Sequence, residues 1–262
     1  ADLLVIVTAV ADPTPRPRMI DRYLVAAYDA GMEPLLILTK SDLADAAPLL
    51  ALYEPLGVPS LATSLSAAGT GDVGPDGDVG AAGGRDDGVG AVREAIAGRT
   101  SVFVGHSGVG KSTLINALVP GAGRATGRVN EVTGRGRHTS TSLQALELPG
   151  GGWVIDTPGV RSFGVAHVSP ADVLRGFADL AEVARDCPRG CTHEAGALDC
   201  ALDEWAAAGP GAAGTSGVAE TAVVAEAARR RARVDSFRRL LTPSLEAEDP
   251  AVGPGRRRDQ RR

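Results

Sequence analysis

The chain has 262 residues, of which 44% are hydrophobic and 23% charged, so it is long enough to bury a sizeable core as a globular protein. No run approaches the ~18–20 consecutive apolar residues that a membrane-spanning helix needs, and the first residues lack the basic flank of a secretion signal. These features argue against a membrane protein and predict a cytosolic protein of two domains. The sequence does not begin with Met, which suggests that a further segment precedes it.

The charge of the chain is unevenly distributed. The formal net charge is −5, yet residues 229–262 hold 11 Arg against 5 Asp or Glu. Such a basic end predicts a contact with nucleic acid or the ribosome, although a solvated end could have the same composition. Within it, we predict that residues 242–262 form a disordered tail. Aromatic residues make up only 3% of the chain, which argues against a surface that stacks many exposed bases.

The first part of the chain alternates apolar runs with amphipathic segments. Residues 3–10 form a continuous apolar run, typical of a strand buried on both faces of a parallel sheet, and 18–31 have the periodicity of a helix. Residues 33–42 predict a second buried strand that runs into a polar loop, followed by a helix over 43–56 and a short strand near 59–63. Strands and helices that alternate at this spacing predict an α/β fold with a doubly wound sheet.

Residues 67–90 interrupt this pattern, because they are rich in Gly and Asp and contain almost no large apolar residues. We predict a disordered surface insertion, since such a segment cannot bury enough surface to offset the entropy lost on ordering. Helical character returns at 89–98. Residues 100–120 then predict a strand, a tight loop and a helix, and 142–159 predict a hairpin.

The segment Gly105-x4-Gly110-Lys111-Ser112 matches the phosphate-loop pattern, and it follows a predicted strand and opens a predicted helix. Glycines let backbone N–H groups converge on phosphate oxygens, and the helix start adds its positive end. Lys111 would reach the β and γ phosphates and assist catalysis there, and Ser112 would ligate Mg²⁺. The alternative is a Gly-rich turn with an incidental Lys-Ser pair. The predicted phosphate-binding residues are Gly105, His106, Ser107, Gly108, Val109, Gly110, Lys111, Ser112 and Thr113, with His106 facing solvent.

A second predicted component of the site is Asp156-Thr157-Pro158-Gly159, at the end of the last predicted strand. A carboxylate at Asp156 can hold Mg²⁺ through water, and the backbone N–H of Gly159 can sense the γ phosphate. Alone, an Asp-x-Pro-Gly turn is a weak signal. Its combination with the phosphate loop makes a nucleotide site the better interpretation.

The loop Thr39-Lys40-Ser41-Asp42 follows a buried strand and predicts which base is bound. Guanine presents two N–H donors on one edge, which an ionised Asp42 can accept as a forked pair, and adenine offers no such pair. The stem of Lys40 can lie along the base. Asn is usual at the first position, so the shorter Thr39 is expected to weaken a tie to neighbouring loops. A polar turn that caps a helix is the alternative, and the residue of 63–67 that backs the base stays open.

The order of these loops is the reverse of that in an ordinary GTPase, where the phosphate loop precedes the base-reading loop. A parallel sheet tolerates a cut in any loop if the same strands still pair, so we predict a circular permutation within an α/β domain over 1–162. The strand at 3–10 would be the one that normally follows Asp-x-x-Gly. The γ-phosphate loop then runs directly into 163–262, which predicts that nucleotide state is transmitted mechanically to that region.

Residues 132–142 are too Gly-rich and polar for regular structure and predict a switch loop. A Thr there would complete Mg²⁺ coordination, Thr139 being the first choice and Thr141 the second, although an ordinary mobile loop has the same composition. Ras-type enzymes orient the catalytic water with a Gln just after Asp-x-x-Gly, but this chain has Val160. His138 is the candidate within the chain, and a partner protein is the alternative.

From about Phe163 the sequence is helical, which predicts a small domain over 163–241 that holds all three cysteines of the chain. Three thiolates and one imidazole suit tetrahedral Zn²⁺, and the alternative of disulfides is disfavoured by an odd number of cysteines in a chain that we expect to be cytosolic. We predict one structural zinc ion without an open coordination position. Its ligands would be Cys187, Cys191, His193 and Cys200.

These motifs together resemble the circularly permuted GTPases of small ribosomal subunit biogenesis, called RsgA or YjeQ. The resemblance rests on the order of "LLVIVTAV", "MIDRYL", "TKSDL", "TSVFVGHSGVGKSTLINAL", "GRGRHTSTS", "GGGWVIDTPGVRSF", the Cys/His cluster and "RVDSFRRLL". It implies a cytoplasmic enzyme that uses GTP/GDP and Mg²⁺, binds the 30S subunit late in assembly, contacts 16S rRNA and hydrolyses GTP faster on the ribosome. It also implies zinc in the C-terminal helical domain and a catalytic His at the position of His138.

Three features depart from this family. Its members usually carry an N-terminal OB-fold, which this sequence lacks, and their commoner ligand spacing is Cys-x4-Cys-x-His-x5-Cys rather than Cys-x3-Cys-x-His-x6-Cys. The insertion at 67–90 is unusual. We expect a monomer without membrane contact. A generic P-loop ATPase, or a non-catalytic zinc and basic-tail module that binds RNA, remain the alternative functions.

Overall fold

The computed structural model describes residues 1–65, 88–123, 143–157, 168–208 and 218–241, with the backbone alone for 218–223. Its centre is a six-stranded sheet in the order β3-β2-β1-β4-β6-β5. The strands are β1 (Leu3–Ala9), β2 (Glu33–Thr39), β3 (Ser60–Ala62), β4 (Thr100–Gly105), β5 (Gln144–Glu147) and β6 (Trp153–Asp156). The helices are α1 (Pro17–Asp29), α2 (Ala47–Tyr53), α3 (Val89–Ile96), α4 (Lys111–Leu118), α5 (Pro170–Leu174), α6 (Ala178–Val183), α7 (Ala201–Ala207) and α8 (Val218–Leu241).

The first strand of the chain lies in the interior of the sheet. β1 pairs in parallel with β2 on one side and with β4 on the other, so that Val5 lies opposite both Leu35 and Phe103. β4 also pairs in parallel with β6, and only β5, the first strand of the predicted hairpin, is antiparallel. This sheet confirms the expected α/β fold with a mostly parallel, doubly wound sheet.

Both faces of the sheet are largely buried along the central strands β1, β2 and β4, as the continuous apolar runs predict. Alternate residues of β1 point to opposite faces, so Leu4 and Ile6 pack with α1 and the later helices, and Leu3 and Val5 pack with α3 and α4. The sheet therefore separates two cores. The core on the side of α1 is the larger, because helices α5 to α8 also contribute to it.

The C-terminal helices share this larger core with the sheet. The ring of Phe177, at the start of α6, lies between those of Tyr28 and Phe237, with centroids 5.0 and 5.4 Å away in edge-on contacts. Gly176 permits this approach, because an added Cβ would lie 2.3 Å from Cδ1 of Tyr28. The helical region is thus packed directly on α1.

Two predicted boundaries are wrong. The helix expected over 43–56 begins only at Ala47, whose N–H donates to the side chain of Asp45, and its last turn is a 3-10 helix over Glu54–Leu56. Pro48 favours this start, since proline is accommodated in the first turn of a helix. The end of the expected insertion is also helical, because Val89 is buried in the second core and begins α3. Residues 67–87 of that insertion and the expected tail lie outside the described residues.

Within the described residues, no helix combines the length and the apolar character needed to cross a membrane.

Candidate nucleotide site and metal centre

The predicted loops meet at one edge of the sheet. β1, β2, β4 and β6 run parallel, so their carboxyl ends lie together, where open α/β sheets bind ligands. The base-reading loop leaves β2 after Thr39, the phosphate loop leaves β4 at Gly105, and Asp156 ends β6. The structure therefore brings together three motifs that are far apart in sequence.

The side chain of Thr39 joins the base-reading loop to the phosphate loop. Its Oγ1 hydroxyl lies 3.2 Å from the carbonyl of Thr8 and 2.5 Å from the carbonyl of Val109, and the residue is buried. A Cβ added at Gly110 would lie 3.5 Å from the same Oγ1 atom. The shorter Thr39 thus still ties the two loops together, because the closely packed backbone brings the carbonyl of Val109 within reach of its hydroxyl. The weakening expected relative to Asn stays a prediction.

The rest of the base-reading loop is anchored on both sides. The backbone N–H of Ser41 donates to the carbonyl of Thr63 at 3.0 Å, and the ammonium of Lys40 donates to the carbonyl of Asp12 in the loop after β1. Asp42 is exposed at the end of the loop, as a residue that receives a ligand must be. Thr63 is buried beside this loop, and its hydroxyl has no hydrogen-bond partner among the described residues.

The phosphate loop needs glycine at defined positions. Gly108 and Gly110 have φ of +84° and +87°, a region that side chains disfavour. A Cβ at Gly105 would lie 2.5 Å from the carbonyl of Val7, so this residue lets the loop leave β4 against β1. α4 begins at Lys111, which places the start of a helix at the end of the loop. His106 is half-buried, with Nδ1 2.8 Å from the carbonyl of Ser107, so the expectation that it faces solvent is only partly met.

Lys111 and Asp156 form a buried ion pair. The ammonium of Lys111 contacts Oδ1 of Asp156 and donates to the carbonyl of Thr157 at 2.7 Å. Side-chain exposure is 10% for Lys111 and 1% for Asp156, so each charge depends on the other for compensation. The Thr157 hydroxyl donates to the carbonyl of Phe103 at 2.8 Å, which fixes the end of β6 against β4.

The Cys/His cluster has the dimensions of a metal site. The ligand atoms of its four residues all lie within 4.8 Å of one another. The Sγ atom of Cys187 lies 3.6 Å from Nδ1 of His193 and 4.0 Å from Sγ of Cys200, and the distance between the last two atoms is 3.9 Å. Tetrahedral zinc with bonds of ~2.3 Å to sulfur places donor atoms about 3.5–3.8 Å apart. All three cysteines are free thiols, so the donor set fits zinc.

The surroundings of this cluster influence the protonation of its potential ligands. Burial raises the pKa of the Cys187 thiol to about 11, so a nearby positive ion is needed to keep it as thiolate near neutral pH. The backbone N–H of Ala201 already donates to its sulfur at 3.3 Å. Burial and the charge of Arg238 lower the pKa of His193, which favours the neutral imidazole that can bind a metal.

Several predicted site residues lie outside the described residues. They are His138, Thr139, Thr141 and Gly159. Sequence reasoning also missed residues that the structure places at the sites. Asp12 contacts Lys40, and Arg238 contacts the Cys/His cluster. No local pattern indicates either, because each contact joins segments distant in sequence.

The sheet, the predicted phosphate loop and the predicted base-reading loop together have the architecture of a P-loop domain of circularly permuted strand order. A family model described as RsgA GTPase matches residues 1–73 and 79–166, and the chain belongs to this family. Two proteins named small ribosomal subunit biogenesis GTPase RsgA, from Pseudomonas fluorescens and Ectopseudomonas mendocina, are 44% and 42% identical to it over 200 residues. Each alignment covers 74% of this chain and 53% of the relative, so the chain spans about half the length of these relatives.

Two solved structures have a similar fold. YjeQ from Thermotoga maritima is 26% identical, with a TM-score of 0.54 over 92% of this chain and 72% of that one. YloQ, described as a circularly permuted GTPase, is 21% identical, with a TM-score of 0.57 over 92% of this chain and 67% of that one. Their likeness agrees with the permuted strand order.

Proposed function

We propose that this chain binds GTP and hydrolyses it to GDP, and that it acts in late maturation of the 30S ribosomal subunit in the cytoplasm. The observation that best supports GTP binding is the hydrogen bond from Thr39 to the carbonyl of Val109, because it joins the base-reading loop to the phosphate loop. The relatives are named as GTPases of small ribosomal subunit biogenesis, which supports the proposed role in maturation of the 30S subunit.

Nucleotide binding requires the pair between Lys111 and Asp156 to open. The ammonium of Lys111 would move to the β and γ phosphates, and Asp156 would hold Mg²⁺ through water together with the hydroxyl of Ser112. Oxygen donors of this kind suit Mg²⁺, which would neutralise charge that develops on the phosphates. Both buried charges would stay compensated during this exchange. Lys111 and Asp156 would each lose one oppositely charged partner and gain another.

Base selection rests on Asp42. Its carboxylate would accept the N1 and N2 donors of guanine as a forked pair, with Lys40 alongside the base and Thr39 and Ser41 holding the loop. Competition against bound fluorescent GDP tests this step: GTP should displace it and ATP should not. Equal displacement by ATP would favour a generic ATPase.

Hydrolysis needs a group to orient the attacking water, since Val160 cannot. We propose that His138 supplies it in a loop that also carries Thr139, the proposed magnesium ligand, while Gly159 senses the γ phosphate. His138→Ala should then abolish ribosome-stimulated turnover and leave GDP affinity unchanged. Normal turnover in this variant would assign the role to the ribosome or to another partner.

GTP turnover with and without purified 30S subunits tests the function as a whole. We expect slow intrinsic hydrolysis and a marked increase with 30S subunits, where 16S rRNA would be the contacted surface. Lys111→Ala should abolish nucleotide binding, while Arg185→Ala, which removes a charge from an exposed pair with Glu182, should not. Background turnover with 30S subunits present would favour a non-catalytic RNA-binding module.

We also propose that Cys187, Cys191, His193 and Cys200 hold one structural zinc ion. Zinc would stabilise the fold of this region, because four protein donors leave no open position for chemistry. Metal analysis should find one zinc per chain in the wild type and none in Cys191→Ser. Because α5 and α8 pack on α1, we propose that nucleotide state is transmitted to this region through these contacts.

A further inference from the structure

The guanidinium of Arg238, near the end of α8, lies against the Cys/His cluster. Its Nε–H donates to the carbonyl of His193 at 3.0 Å, and its Nη2 atom lies 3.9 Å from Sγ of Cys200. Only 13% of the Arg238 side chain is exposed, and Cys200 is buried. One side chain from a helix 38 residues further along the chain thus contacts two of the four potential ligands.

A second residue fixes the orientation of this guanidinium. Both oxygens of Asp203 accept hydrogen bonds from Arg238, at 2.7 Å from Nη1 and 2.9 Å from Nη2. Such a forked pair holds the planar guanidinium in one direction. Asp203 lies in the first turn of α7, which begins directly after Cys200, so the carboxylate and the thiol belong to one rigid element.

Two residues of the Cys/His cluster region have a backbone conformation that the surrounding contacts must stabilise. His193 and Asp199 have φ of +59° and +52°, a left-handed conformation that costs free energy in residues other than glycine. Cys187 receives its hydrogen bond from the backbone of Ala201, whereas the contact to Cys200 comes from a side chain of another helix.

We propose that Arg238 is a positioning residue of the metal centre, which holds the Cys200 thiolate and the His193 backbone in the geometry that zinc requires. The inference rests on the proposed zinc site. Donors to the atoms around metal ligands fix ligand orientation and tune electron donation to the metal, and losing one typically costs ~10–100-fold in metal affinity. Zinc binding and the docking of α8 are therefore linked through Arg238.

The first test is zinc affinity, measured on the full chain by competition with a chromophoric chelator. Arg238→Gln should weaken zinc binding about 10–100-fold, and Arg238→Lys, which keeps one donor but not the fork, should lie between this variant and the wild type. Arg229→Gln is the matched control, because Arg229 is exposed and pairs with Glu226 in the same helix. If Arg238→Gln does not fold, the zinc affinity of Arg238→Lys is compared with that of the wild type instead.

The second test separates positioning from mere packing. At saturating Co²⁺, the thiolate-to-cobalt charge-transfer band of Arg238→Gln should move to longer wavelength, because a thiolate without its N–H donor gives up electron density more easily. Zinc affinity within twofold of the wild type together with an unchanged band would overturn the inference. A wild type that binds neither metal would instead overturn the zinc site itself, and GTP turnover is measured separately from both.

Discussion

The guanidinium of Arg233 in α8 donates a hydrogen bond of 2.9 Å to the carbonyl of Pro55, which lies between α2 and β3. The same side chain pairs with both oxygens of Asp179 at 2.5 and 2.7 Å and lies over the ring of Phe177. The last described helix is thereby attached to the segment that leads to β3 and Thr63, beside the predicted base-reading loop.

Arg233→Gln should destabilise the protein as a whole. It removes a charged donor from the Pro55 carbonyl and leaves Asp179 without its partner, so we expect the free energy of unfolding to fall by about 1–3 kcal/mol. Urea denaturation of the purified chain measures this. The control Arg229→Gln should change stability by less than ~0.5 kcal/mol, since it breaks only an exposed pair on one helix. Equal effects of the two variants would show that the attachment to Pro55 contributes nothing.

Thr39→Val should weaken nucleotide binding without unfolding the sheet. The change keeps the shape of the side chain but removes the hydroxyl that contacts the carbonyls of Thr8 and Val109. We expect up to roughly 5–30-fold lower GDP affinity, because without about 1–2 kcal/mol of hydrogen bonding the free chain no longer holds the two loops in the arrangement that binds nucleotide. Isothermal titration with GDP measures it. Ser60→Ala, which removes a hydroxyl at the start of β3 that donates to the carbonyl of Val58 two residues earlier, should leave the affinity unchanged.

Asp42→Asn should exchange the preferred base. Guanine offers N–H donors to a carboxylate, whereas xanthine carries an oxygen acceptor in place of the amine, which the Asn amide can donate to. We expect GTP affinity to fall at least about 100-fold and xanthosine triphosphate to bind better than GTP. Competition titrations with both nucleotides test this. Unchanged selectivity would contradict the assignment of Asp42, and Asp45→Asn in the same loop serves as the control.

Asp172 should stabilise α5 in a pH-dependent way. Hydrogen bonds from the hydroxyl and backbone N–H of Ser169 lower the pKa of the Asp172 carboxyl below its ordinary value. A lowered pKa in the folded state gives stability that is present above about pH 4 and is lost as the pH falls through the folded pKa. The difference in melting temperature between wild type and Asp172→Asn should therefore shrink between pH 7 and pH 3. Asp186→Asn, at an exposed position, provides the comparison.

Local patterns were sufficient for the strands and the nucleotide loops. The apolar run at 3–10 requires burial on both faces, and glycines at 105, 108 and 110 are needed wherever a backbone wraps phosphates, so their positions follow from short-range physics. The spacing of Cys187, Cys191, His193 and Cys200 likewise predicted a cluster that the structure confirms as a potential metal site.

Contacts between distant segments could not be predicted in this way. Whether the hydroxyl of Thr39 reaches the carbonyl of Val109 depends on how β1, β2 and β4 are spaced in the sheet. That spacing cannot be read from the sequence. Arg233 and Arg238 belong to a basic helix that equally predicts a solvated or RNA-binding face, yet both side chains are engaged within the protein. Their partners are fixed only once α8 packs on the shared core.

The position of β1 has a consequence for biosynthesis. β1 is synthesised before the other strands of the sheet, yet it lies inside the sheet, where Leu3 pairs with Ser101 of β4. Until β4 has been synthesised, one edge of this mostly apolar strand has no neighbour, a state that favours aggregation and slow folding. We therefore expect a nascent chain of this permuted order to depend more on chaperones than one in which neighbouring strands emerge in succession.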